Sequence, residues 1–124
     1  MIKTYPKSNH IDSEAYLRKV RLCRCVACGA GIGVEAAHIR FADAKHGKEE
    51  AGMGRKPSDS HVLPLCASCH RTSNGAQHNH KERNWWGSKT IHDPVALAEE
   101  LYRRRRSQED MRLLISTTLI TGQD

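Results

Sequence analysis

The stretch Leu65 to His80 reads LCASCHRTSNGAQHNH, placing two cysteines and three histidines within sixteen residues, with His61 just upstream. Cys66 and Cys69 form a C-x2-C knuckle, and the same spacing occurs earlier at Cys25 and Cys28. Two such knuckles supply four thiolates, the number that a closed tetrahedral zinc site takes. Either knuckle alone would also suit a redox pair. Together they predict a structural Zn²⁺ held by Cys25, Cys28, Cys66 and Cys69. The gap between the knuckles is wider than in the commonest zinc ribbons, because a strand and a long loop lie between them. Cys23 continues the apolar face of the segment before it and reads as a small buried hydrophobe.

Around the knuckles the pattern is mixed α and β. DSEAYLRKVRL, residues 12 to 22, predicts a helix with Asp12 or Ser13 as cap and an apolar face of Tyr16, Leu17 and Val20. VEAAHI, residues 34 to 39, and HVLPLC, residues 61 to 66, predict two short strands. Residues 42 to 60 between them are polar and rich in Gly, Lys and Asp, a long loop of the kind that in small domains is either functional or disordered. SCHRT opens a helix that Asn74-Gly75 should break. Asp93-Pro94 opens another, with Leu97 and Leu101 four apart. Glu99 and Glu100 stand four before Arg103 and Arg104, the favourable order for ion pairs. SQEDMRLLISTTLI predicts an amphipathic tail helix with Met111, Leu114, Ile115 and Leu119 on one side.

A chain of 124 residues makes one domain, here read as residues 1–106 with a helical tail over 107–124. Aromatic content of 5% and hydrophobic content of 38% promise a thin core, so a bound metal should carry part of the stability. The formal charge of +6 favours anionic partners such as nucleic acid. No apolar run suits a leader or a spanning helix, which predicts a cytoplasmic protein without membrane contact. In a reducing compartment the cysteines are metal ligands before they are disulfides.

The cysteines leave the histidines unexplained. His38 lies at the end of the first predicted strand, in Ala37-His38-Ile39, and His70 directly follows Cys69. With Leu63-Pro64-Leu65-Cys66 between them, these positions resemble the HNH endonucleases, whose ββα-metal fold sets a hairpin against a helix with a divalent ion between. AHIRFAD, GMGRKPSD, VLPLC, CH, QH and KERNWW together resemble a phage and prophage HNH family, similar in style to RecA-dependent phage nucleases, over roughly residues 20 to 102. The resemblance implies a small α+β, zinc-stapled HNH core that hydrolyses DNA phosphodiester bonds. It implies His38 as the general base, with His70 and His78 holding a catalytic divalent ion, Mg²⁺, Mn²⁺ or Zn²⁺. A neutral imidazole suits the first role, since its ordinary pKa lies near working pH.

Three departures stand out. His70 and His78 are eight residues apart where the family often has four, and eight residues of unbroken helix span about 12 Å. The chain must therefore loop out at Ser73 to Ala76, or one of the two is not a ligand; His80 is an alternative to His78. Most HNH enzymes also carry an acid where this chain has Ala37. The asparagine at the centre of the motif is replaced by His61, which would either orient His38 or join the metal shell.

Arg40 and the loop cations Lys45, Lys48, Arg55 and Lys56 are the expected DNA contacts. Arg103 to Arg106 would grip phosphate or pair with Glu99 and Glu100. Trp85 and Trp86 would stack on bases or, more in keeping with a small zinc core, pack. The resemblance admits a recombinase filament as partner, and the apolar stripe of the tail must be buried on this domain, on a second copy or on a partner, a homodimer being slightly favoured. The rival reading is a non-catalytic zinc-ribbon module that binds nucleic acid, and Ala37 favours it. A weaker alternative is an RNA nuclease.

Overall fold

The computed structural model describes residues 10–48, 57–79, 81–89 and 91–121. Helix α1, Glu14–Arg21, starts where Ser13 turns extended and its hydroxyl accepts the Tyr16 N–H at 3.1 Å. Tyr16, Leu17 and Val20 are buried, so the face expected from their spacing is the face that packs. The chain then tightens into the first cysteine knuckle. Gly29, at a φ of +82°, donates its N–H to Cys25 at 2.8 Å, a left-handed turn that suits glycine.

Strands β1, Val34–His38, and β2, Val62–Cys66, pair antiparallel as a two-stranded ribbon, in register from Val34 opposite Cys66 to His38 opposite Val62. The Val26 N–H donates to the Pro64 carbonyl at 2.9 Å, which fastens the first knuckle onto β2. Both knuckles therefore meet at one end of the ribbon. A two-stranded ribbon is marginal alone, and every residue of β2 is buried beneath the rest of the chain.

After β2 the expected helix shrinks to a single wide turn, Ser68–Thr72, closed by the Ser73 N–H on the Ser68 carbonyl at 3.3 Å. A turn through Asn74 and Gly75 follows, then a short 3₁₀ turn at Gln77–Asn79. Helix α2, Glu82–Ser88, has no counterpart among the predicted elements. It buries Trp85 and Trp86, whose rings meet edge to face at 4.9 Å, so the tryptophans pack. Helix α3, Pro94–Arg103, begins as expected, with the Asp93 carboxylate accepting the Ala96 N–H at 3.0 Å. Glu100 pairs with Arg103 and Arg104, and the sequence's other acid there, Glu99, faces histidines instead.

Helix α4, Gln108–Thr121, packs onto the rest of the chain. Met111 and Ile115 are wholly buried in the same core as α1 and β2, and Leu114 and Leu119 pack against that core. The stripe that suggested a homodimer is covered by its own domain. Gln108 ties the helix to α1 by donating to the Lys19 carbonyl at 2.9 Å. Cys23 lies in this seam, buried, with its thiol pushed up to about 11 by burial. Among the described residues no helix is long and apolar enough to cross a membrane.

Candidate metal centres

Cys25, Cys28, Cys66 and Cys69 converge, with all four sulphurs within 4.8 Å of one another. Cys28 Sγ and Cys66 Sγ stand 3.7 Å apart, far beyond a disulfide bond of about 2.05 Å. A tetrahedron with metal–sulphur bonds of about 2.3 Å has edges of about 3.8 Å. The four cysteines thus could hold a metal ion. Burial pushes the Cys25 and Cys69 thiols up. At Cys66 burial acts the same way but is outweighed by the Cys69 N–H and neighbouring thiols, which hold it below the usual thiol range.

Next to this cluster the histidine pair assembles. The wide turn lifts His70 out of line and the chain loops through residues 73 to 76, so His78 returns beside it, ring centroids 4.3 Å apart. The loop thus brings the two rings together across the eight-residue spacing. His70 Nδ1 lies 2.8 Å from Glu35 Oε1 on β1, and Arg71 closes on both Glu35 oxygens. These partners hold the Glu35 carboxyl at about 2, Arg71 chiefly, with His70 adding to it. With Nδ1 spent on a carboxylate, His70 keeps Nε2 for another partner, the arrangement by which second partners orient metal-binding histidines. His78 is held below its ordinary value by burial and by the nearby His70 and Arg40. Glu35 was not among the expected site residues; its signal in the sequence is its place two before Ala37, on the same face of the strand.

His38 and His61 do not form a pair. His38 Nε2 lies 2.8 Å from Oδ1 of Asp59, a carboxylate only 1% exposed. His61 turns instead to Glu99, Nε2 to Oε2 at 3.0 Å, and burial lowers its basicity although Glu99 opposes this. Glu99 also reaches His46 Nδ1 at 3.5 Å, and His46 Nε2 meets Asp93 Oδ2 at 3.1 Å. Asp43, His46 and Asp93 thereby bring ligand atoms within 4.8 Å of one another. Lys45 Nζ lies 3.1 Å from the same Asp93 oxygen, so this group is already balanced by cations.

Of the expected DNA contacts, Arg40 and Lys45 are exposed. Lys48 is not: it is 7% exposed and its ammonium donates to the Phe41 carbonyl at 2.7 Å, a structural use that corrects its reading as a surface contact. Arg55, Lys56 and His80 lie outside the described residues.

Residues 2–93 match the model of the family described as Protein of unknown function, DUF968. The chain belongs to that family. The match takes in both knuckles, the ribbon, the histidine pair and α2, and stops where α3 begins. No curated protein and no solved structure matches the chain.

Proposed function

We propose that this chain is a metal-dependent HNH-type endonuclease acting on DNA, with a structural zinc ion at the four cysteines. The observation that carries the reading is the convergence of His70 and His78, eight residues apart in sequence and 4.3 Å apart as rings. Zinc fits the first cluster because it takes four thiolates tetrahedrally, at the edge length that Cys28 and Cys66 already approach. A divalent ion at the second site would supply neutralising charge to a phosphodiester. His70 and His78 bind, Glu35 orients His70, and Arg40 and Arg71 give an anionic backbone a basic approach. His38 accepts the proton of the attacking water.

One observation favours the rival, a zinc-bound nucleic-acid module without catalysis. Strict alternation along β1 turns Glu35 and Ala37 to one face and His38 to the other. Incubation with supercoiled, linear and single-stranded DNA, with and without Mg²⁺ or Mn²⁺, separates the two. Wild type should cleave. His38→Ala should lose about 10²-fold or more in rate with unchanged zinc content and DNA affinity, the usual contribution of a placed base. His70→Ala should also fail, but excess divalent ion should partly restore it. Folded, zinc-loaded protein that binds DNA and cuts none of these forms, with or without a recombinase filament, leaves the binding module.

A further inference from the structure

Asp59 has no role in the reading so far, yet it is among the most completely buried charged groups in the domain, 1% exposed. A buried carboxylate is costly unless its oxygens are engaged. One of them, Oδ2, accepts the Ser13 N–H at 2.8 Å, where α1 begins. The other, Oδ1, lies 2.8 Å from His38 Nε2. The segment carrying it is itself fixed, since the Asp59 N–H donates to the Ile11 carbonyl at 2.8 Å and Ser58 Oγ accepts the Ile11 N–H at 3.0 Å. Helix cap, hairpin end and returning loop are thus joined at one carboxylate.

We infer that Asp59 is the positioning residue for His38: it accepts the Nε2 proton, fixes that tautomer, and leaves Nδ1 as the atom that takes the proton from water. This rests on the nuclease reading and deepens it. An ionised carboxylate accepts only, so the neutral ring must donate from Nε2, and its lone pair is left on Nδ1. In the hydrolytic step the water proton passes to Nδ1 as the water oxygen bonds to phosphorus. The P–O bond to the leaving 3′ oxygen breaks, and that oxygen is protonated from solvent. The imidazolium formed is then stabilised by the carboxylate behind it, as in other His–Asp pairs. His38 retains 22% exposure of its side chain, enough to meet a water, whereas Asp59 is 1% exposed.

The test has two readouts. In zinc-loaded wild type, nitrogen–proton NMR of the His38 ring should find the neutral form protonated at Nε2, which needs no variant to fold. Asp59→Asn can present its amide N–H₂ to Nε2 and so reverse the tautomer. Its kcat should fall by about 10²-fold or more with KM little changed, as for other His–Asp pairs so altered. Zinc content and melting should show that the variant is folded. Combined with His38→Ala, it should slow cleavage no further, because residues acting as a unit are non-additive. An Nδ1-protonated ring in a wild type that cleaves DNA overturns the inference and spares the nuclease. So does an Asp59→Asn variant as fast as wild type, or one whose loss multiplies that of His38→Ala. A wild type that cleaves nothing overturns both, even with the ring protonated at Nε2.

Discussion

The nuclease reading proposed above expects an acid at position 37, and the surroundings of Ala37 explain why one would not serve there. Ala37 is fully buried and sits opposite Leu63 in the hydrophobic core. The acid lies two residues earlier instead: Glu35 is on the same face of β1, partly exposed, and bonded to His70. Ala37→Asp should therefore destabilise the fold by about 3 kcal/mol or more, the cost of an unpaired buried charge, rather than create a ligand. Thermal unfolding of zinc-loaded protein checks this. An unchanged melting temperature with tighter divalent-ion binding would mean that position 37 faces the ion. That Cys25, Cys28, Cys66 and Cys69 could hold one ion while Cys23 is buried apart from them was legible at this scale, because each C-x2-C spacing is local. The partners of His38 and His61 were not, since Asp59 and Glu99 are 21 and 38 residues away.

At the scale of elements, patterning was read well where it was periodic. α1, both strands and α3 start close to where caps and alternation put them. The misreadings share a cause: short or aperiodic segments owe their form to tertiary contacts. Residues 68 to 79 make two separate turns instead of one broken helix. α2 is seven residues long, held by its tryptophans and by Glu82, whose carboxylate accepts the Arg40 N–H at 3.0 Å. α4 was recognised as amphipathic, but an apolar stripe does not say what covers it. Since Met111 and Ile115 are completely buried in the domain's own core, replacing either by alanine should cost about 2–5 kcal/mol in denaturant unfolding. Deleting residues 107 to 124 should destabilise the domain. A truncated protein as stable as the full chain, and changed only from dimer to monomer, would return the stripe to an intermolecular role.

At the scale of the molecule, the question is what holds so small a core together. Its apolar residues come from four helices and a ribbon that is two strands wide, a ribbon that depends on the packing of those helices. The four cysteines are placed where a bound ion would add to that support. Cys25 and Cys28 precede β1, while Cys66 ends β2 and Cys69 lies in the next turn. An ion there would join the start of β1 to the end of β2 and pin the wide turn that carries His70. Binding free energy at such a site, on the order of 10 kcal/mol in small zinc domains, is folding free energy. Chelation, or Cys25→Ser, should therefore abolish the cooperative unfolding transition followed by tryptophan fluorescence, because Trp85 and Trp86 are buried in the same core. Readdition of Zn²⁺ should restore it after chelation but not in the variant. Cys23→Ser, at a packed position outside the cluster, should keep its metal and lose far less stability. If metal-free protein melted as cooperatively as the loaded form, the helices alone would suffice, and the knuckles would have to be explained by something other than stability.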